Sequence, residues 1–450
     1  MEFLPQFGGV LWTLLAFVVA LSIIVAIHEF GHYIIGRWSG IHAEVFSLGF
    51  GPVLFSRRDR RGTLWQVAAL PFGGYVKFLG DSDAASAGTD GEAIARMSAQ
   101  ERRRTMHGAP LWARAATVAA GPVFNFVLSI LIFGAIFQLR GEVADPLTVG
   151  DLRPLPAAEQ VVTLEEGDAI RAIAGVPLPE GEGAQSPAAF PEALPIRATL
   201  PYDVLRDGQA VSVTGPYPFP PLITQLAPKS AAYSIGLKQG DVITAVDGAP
   251  IIAFSQLKTR VEASNGAPLL LDVWRPATAE TLEFALTPRR VDEPDPEGGF
   301  RTEWRIGIAG GMAFELATER AGLLTSLGEG VAQTGRIVSS SISGLYHMVA
   351  GKISSCNMTG PIGIAQTSGA MASQGATSFI WFVAALSTAV GLLNLFPVPV
   401  LDGGHLVFHA YEAVRGRPPS DRALRVLMGI GLALILSLMV FALTNDIFCP

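Results

Sequence analysis

Apolar and polar positions divide this chain into four long apolar runs separated by stretches of different rhythm. The runs cover about residues 9–35, 111–138, 379–401 and 424–443. Each is nearly free of charge over about 18 or more residues, the length at which an α-helix crosses the hydrocarbon core of a bilayer. In the first run no charged residue stands between Phe3 and Ile27. Between the first two runs, Gln66 to Lys77 mixes strand formers with a Pro/Gly-Gly turn, which predicts a hairpin at about 64–79. Its apolar residues fit an ordinary surface hairpin or one that dips toward the membrane, where non-helical backbone is tolerated only when buried in protein or lining a cavity. Residues 80–100, rich in Ser, Ala, Gly and Asp, have the composition of a flexible linker. Residues 313–353 space their apolar groups as amphipathic helices do, and Gly360-Pro361-Ile362-Gly363-Ile364 punctuates the approach to the third run.

The stretch between the second and third runs contains an internal repeat. Glu166-Gly167-Asp168-Ala169-Ile170-Arg171-Ala172-Ile173-Ala174-Gly175-Val176-Pro177 aligns with Gln239-Gly240-Asp241-Val242-Ile243-Thr244-Ala245-Val246-Asp247-Gly248-Ala249-Pro250. The spacing is that of a small domain rather than of a solenoid unit. The second copy is the fuller, with Ser230-Ala231-Ala232 and Gly236-Leu237 ahead of its Gly-Asp turn, and resembles bacterial PDZ domains. The first is interrupted by Pro-rich sequence at 177–195. PDZ modules capture an extended peptide or a C-terminus on a sheet edge; a spacer or size filter is the alternative.

Composition agrees with the apolar runs. The chain has 450 residues, 50% of them hydrophobic and only 16% charged, which points to a membrane protein of more than one domain. The net charge of -7 gives no sign of nucleic-acid binding. Basic residues sort the loops. Arg57, Arg58, Arg60, Arg61, Lys77, Arg102, Arg103 and Arg104 lie between runs one and two, and Arg415, Arg417, Arg422 and Arg425 between runs three and four. Both loops are therefore expected in the cytoplasm, with the N-terminus, residues 139–378 and the C-terminus outside. The first run does not read as a cleavable signal, since it lacks a basic n-region and is too long. Cys356 and Cys449 read as incidental thiols rather than a disulfide framework, with a single bridge left open.

The candidate chemistry lies at the end of the first run, in His28-Glu29-Phe30-Gly31-His32. Histidines four residues apart share one face of a helix and can reach one metal ion, and the glutamate beside the first is placed to act as general base. At about 1.5 Å per residue, His28 and His32 fall roughly 14 and 8 Å before Arg37, which puts the pair inside the bilayer near that end. Ionisable residues at such depth usually mark function. Catalytic zinc takes three protein ligands, so a third is needed. Run three, entered from outside at Phe379, has advanced about 26 Å by Phe396. Pro397 and Pro399 then stop the helix, and Asp402 arrives at the depth of the histidines. A helix cap is the alternative for this Asp-Gly-Gly sequence. His405 and His409 form a second i, i+4 pair but lack the glutamate and lie toward the cytoplasmic loop.

These parts together resemble the site-2 protease family of intramembrane zinc metalloproteases. HExxH stands on the first run, Ala-Gly-Pro-x-x-Asn on the second and Asn-x-x-Pro-x-Pro-x-Leu-Asp-Gly on the third, with the PDZ-like repeats between. Within the family the order is similar to the bacterial regulator of sigma-E type. The resemblance implies a polytopic α-helical membrane protein with four transmembrane helices, a re-entrant β-hairpin and two extracytoplasmic PDZ-like α+β domains. Its expected parts are a membrane domain at 1–138, PDZ-like domains at 139–215 and 216–295, amphipathic helices and linker at 296–378, and a second membrane domain at 379–450. It implies Zn2+ held by His28, His32 and Asp402, with Glu29 as catalytic acid/base. It also implies substrate contacts from Asn394 and from a re-entrant loop at Gly73, Gly74 and Tyr75. The expected location is the bacterial inner membrane, with the active site toward the cytoplasm and the PDZ-like domains in the periplasm. The expected partners are the bilayer, single-span membrane proteins such as anti-sigma factors or remnant signal peptides, and peptide C-termini at the PDZ-like domains. A catalytically silent membrane PDZ adaptor is the alternative, but the intact Glu29 and full ligand set argue against it. A metal transporter would need polar residues along a pathway, which runs two and four barely offer.

Overall fold

The computed structural model describes residues 3–81, 97–157, 161–178, 194–295 and 299–449. Most of the expected linker at 80–100 and most of the Pro-rich interruption at 177–195 lie outside the described residues. The chain divides into two compact units. One comprises Met1–Ile136, Leu323–Ala350 and Ser355–Pro450; the other comprises Phe137–Gly322 and Gly351–Ser354.

The first unit is built on helices α1 (Phe3–Trp38), α2 (Leu111–Arg140), α3 (Leu323–Val349), α4 (Pro361–Ser373), α5 (Ala376–Asn394), α6 (Asp402–Arg415) and α7 (Asp421–Phe448). Gly9–Trp38, Leu111–Arg140, Ala376–Asn394 and Arg422–Phe448 are long and apolar enough to cross a membrane. Ala20 and Ile24 of α1 pack on Val383 of α5, with Ile132 of α2 against them. Hydroxyl groups tie the second and fifth helices: Ser129 donates to the Ala384 carbonyl at 2.8 Å, and Ser387 to that of Asn125 at 2.9 Å. Apolar helices have little hydrophobic reason to associate within lipid, so close packing and hydrogen bonds of this kind hold them together.

The third apolar run does not continue to 401 as a helix. Helix α5 ends at Asn394, and the chain passes through a turn containing Pro397 and Pro399, which have no N–H to extend the ladder. It restarts as α6 at Asp402. The restart needs glycine, because a Cβ on Gly403 would collide with the Leu395 and Phe396 carbonyls. The sequence between runs three and four, read as a loop, thus holds a 14-residue helix ended by Gly416 at a φ of 69°.

A β-hairpin belongs to the same unit. Strand β1 (Ala43–Arg58) pairs with β2 (Leu64–Phe78). Residues 43–48 run antiparallel to 74–78, while 53–58 fold onto 64–68. The chain reverses at Asp59, whose Oδ1 accepts from the Arg61 and Thr63 amides at 2.8 and 3.0 Å. Pro71 to Gly74, expected as the turn, lies inside β2 instead, because the apolar run 43–55 supplies the partner strand and Asp-Arg-Arg-Gly takes the reversal.

At the end of α7 the chain is clasped to the segment before α4. The Asp446 carboxylate accepts from the Gly360 and Gly363 amides at 3.0 and 2.9 Å. Cys356 and Cys449 are joined in a disulfide, which corrects their reading as incidental thiols. Residues 93 positions apart give no sequence cue to such a pairing; the packing of α7 against the 355–357 turn supplies it.

The second unit repeats one sheet. Strands β3 (Ala169–Ile173), β4 (Val176–Pro177), β5 (Thr199–Arg206) and β6 (Gln209–Pro216) form an antiparallel sheet in the order β4-β3-β5-β6. Strands β7 (Val242–Val246), β8 (Ala249–Pro250), β9 (Leu269–Arg275) and β10 (Glu280–Leu286) form another in the same order, β8-β7-β9-β10. Each Gly-Asp turn carries a buried aspartate paired with a partly exposed arginine at the same place. Arg206 grips Asp168 with Nε and Nη2 at 2.7 Å each, and Arg275 grips Asp241 at 2.8 and 2.6 Å. Ile173, Leu200, Tyr202 and Val204 lead one core; Ile243, Val246, Leu271 and Val273 lead the other.

Candidate metal centre

Helix α1 presents His28 and His32 one turn apart, and their Nε2 atoms lie 3.2 Å from each other. Asp402, in the first turn of α6, brings Oδ2 to 3.2 Å from His28 Nε2 and 3.5 Å from His32 Nε2. The carboxylate is therefore turned to the imidazoles rather than spent as a helix cap. Among the described residues these three are the group able to hold a metal ion.

The surroundings fix the histidines from behind. His32 Nδ1 faces the Thr117 carbonyl of α2 at 2.9 Å. A carbonyl only accepts, so the proton sits on Nδ1 and the Nε2 lone pair is free for a metal. Asn125 of the same helix faces His28 Nδ1 at 3.2 Å. Between them Gly121 lets α2 approach, since a Cβ there would collide with His32 Nε2 and sit 2.8 Å from His28 Cε1. Pro122 follows it inside the helix.

Zinc fits this cradle. Ligand distances of about 2.0–2.1 Å in a tetrahedron put donor atoms about 3.3 Å apart, close to the 3.2, 3.2 and 3.5 Å found here. Asp402 Oδ2 is buried and makes no hydrogen bond of acceptable geometry. An oxygen in that state, between two imidazole nitrogens, is suited to a cation. Two imidazoles and a carboxylate, with no thiolate, are also the donor set of catalytic rather than structural zinc sites.

Glu29 projects beside the triad. Its carboxylate accepts a hydrogen bond from the Val76 amide of β2, and Gly74 packs over Val25 and Glu29. The hairpin thus covers the glutamate. Gly73 lies against Phe50, and Tyr75 stacks on Phe50 with ring centroids 6.0 Å apart while its hydroxyl accepts from Gln66 at 3.1 Å. Asn394 is half-buried at the end of α5 and donates to the Val390 carbonyl of its own helix at 3.0 Å. His405 and His409 are not in the donor group. Nothing in the sequence points to Thr117, and Gly121 and Asn125 stand in the Ala-Gly-Pro-x-x-Asn motif of the second run without a role for either. A glycine in a long apolar helix was the one available signal for close approach.

A histidine pair, an aspartate and a flanking glutamate, set among helices of membrane-spanning length, make a membrane zinc metalloprotease. The chain belongs to peptidase family M50, whose model matches residues 16–438. It is 37% identical to a Rhizobium meliloti protein named "Putative zinc metalloprotease", over 97% of this chain and 96% of the relative. A protein of the same descriptive name from Agrobacterium fabrum is 36% identical over 96% and 94%. The regulator of sigma-E protease RseP of Salmonella typhimurium is 32% identical over 97% and 99%.

Proposed function

We propose that the chain hydrolyses peptide bonds within or beside the transmembrane segments of single-span proteins. The observation that carries this is the convergence of His28 and His32 from α1 with Asp402 from α6, with Glu29 against it. His28, His32 and Asp402 hold the zinc. When bound, zinc supplies Lewis acidity to the attacking water and to the scissile carbonyl. Glu29 takes the proton of that water and returns it to the leaving amine.

A helical substrate hides its carbonyls in its own hydrogen bonds and must unwind before attack. The hairpin over Glu29 supports a role as a membrane-dipping template, with the backbone near Gly73, Gly74 and Tyr75 pairing with the extended segment as an added strand. Asn394 releases its bond to Val390 to hold that segment.

The repeated sheets, each with a Gly-Asp turn and its arginine, support a tandem PDZ pair. In this reading the pair stands on the outer side, admits substrates already shortened there and excludes bulky uncut proteins. The chain sits in a bacterial inner membrane with the zinc site nearer the cytoplasm. The disulfide supports an outer location for the C-terminus, because such bonds persist in oxidising compartments. The resemblance to the regulator of sigma-E type makes an anti-sigma factor the first substrate to test, with remnant signal peptides next.

Comparative membrane proteomics of wild type and Glu29→Gln tests the reading. Single-span fragments accumulating only in the variant name the substrates; identical membrane proteomes sink the proposal.

A further inference from the structure

Asn125 is fully buried, and its Oδ1 has no hydrogen-bond partner. Its Nδ2 lies 3.2 Å from His28 Nδ1. If Nδ2 donates, His28 Nδ1 must be the acceptor and the ring proton sits on Nε2. Yet Nε2 is the atom that faces His32 Nε2 and Asp402 Oδ2. With the proton there, it has no lone pair for a metal. A metal-bound His28 carries its proton on Nδ1, and an amide N–H facing that N–H repels it.

Exchange of the amide oxygen and nitrogen resolves the conflict, since the two are assigned from their bonding partners. Oδ1 then accepts from Nδ1–H. The number of unpartnered amide atoms stays at one, and the donor–donor clash disappears. The main-chain bond at this position is untouched, because Ser387 donates to the Asn125 backbone carbonyl at 2.9 Å and not to the amide side chain.

We propose that Asn125 is a positioning residue whose side-chain oxygen holds His28 in the tautomer that binds zinc. It thereby does for His28 what the Thr117 carbonyl does for His32. Helix α2 contributes no ligand of its own in this arrangement, but it orients both histidines. The inference rests on His28 being a zinc ligand, as in the proposed function.

The test measures zinc retained by the purified full-length protein across a chelator series, in wild type, Asn125→Leu, Asn125→Asp and His28→Ala. Aspartate is an acceptor only; leucine has a similar size and cannot accept. Asn125→Leu should weaken zinc retention by about 10- to 100-fold, the usual cost of losing a hydrogen-bond partner behind a metal ligand. Asn125→Asp should hold zinc at least as tightly as wild type. Thermal unfolding of the zinc-free forms is recorded alongside. A role in packing alone predicts that both substitutions lower that transition and weaken zinc together, and this result overturns the proposal. Equal zinc retention in wild type and Asn125→Leu overturns it as well. Undiminished zinc in His28→Ala separately overturns the ligand assignment on which it rests.

Discussion

At Gly121 a single added methyl group would meet both imidazoles of the candidate metal centre. The position is inside α2, where alanine is ordinarily the better helix former. Here the added carbon would occupy space held by both imidazoles. Gly121→Ala should therefore lose most of its zinc, whereas Gly335→Ala on α3, which meets nothing within 4 Å, should keep it. Metal analysis of the two purified variants distinguishes a collision at the site from a general effect of substituting a helical glycine. Glu29 answers to a different test. Its carboxylate is held by the Val76 amide, and it is not one of the three convergent donors. Glu29→Gln should retain full zinc while hydrolysis of a shortened single-span substrate falls by about 10²–10⁴-fold or more, because in the proposed mechanism one residue serves both proton transfers. Cleavage at the wild-type rate would remove Glu29 from the chemistry.

Among the elements, the two four-stranded sheets show what a repeated ion pair contributes. Burial raises the Asp168 carboxyl, but the hydrogen bonds from Arg206, the Glu165 amide and the Arg206 charge outweigh it and hold the group below its ordinary value. A depressed carboxyl stabilises the fold fully above its unfolded pKa of about 3.9 and loses that contribution as pH falls through the lower folded value. Asp168→Ala should destabilise the sheet by about 1–3 kcal/mol at neutral pH by removing the buried acceptor of the Glu165 amide and of Arg206, which keeps Glu165 and the Thr163 carbonyl. Hydrogen exchange over β3 and β5 should record that loss at pH 7, and the gap between variant and wild type should narrow below about pH 4. A gap that is constant with pH would assign the effect to packing. Asn394→Ala tests the end of α5. It should keep its zinc but cleave more slowly, and lose less activity on substrates whose helix already contains Gly or Pro, which unwind at lower cost. Equal losses on helix-stable and helix-weak substrates would give Asn394 another task.

For the whole molecule, the arrangement of charged loops and the clasp at the C-terminus make one prediction about sidedness. Single cysteines introduced at Asp207, Arg58 and Arg415 should react with an impermeant reagent from outside only at Asp207, and at the other two only after the membrane is broken. In the same preparation Cys356 and Cys449 should resist labelling until a reductant is added. Labelling of Arg58 from outside would invert the topology and carry the metal centre to the other face.

How much of this was legible in the sequence follows from how far each feature reaches along the chain. Apolar runs, the HExxH spacing and the Gly-Asp repeat depend on neighbours within a few turns or strands, so the sequence alone determined four candidate spans, a histidine pair on one helix face and a duplicated unit. The depth argument also brought Asp402 toward the histidines, because helix rise converts residue number into distance. What it could not supply is contact at the scale of one atom. The donor spacing of 3.2 to 3.5 Å, the space kept open by Gly121 and the polar groups behind each imidazole come from α1, α2 and α6, segments far apart in sequence, with α2 tied in turn to α5 by Ser129 and Ser387. The turn of the hairpin and the disulfide were decided in the same way, by which distant segment became the packing partner. Periodicity fixes which face a residue occupies, but only tertiary packing fixes what that face meets.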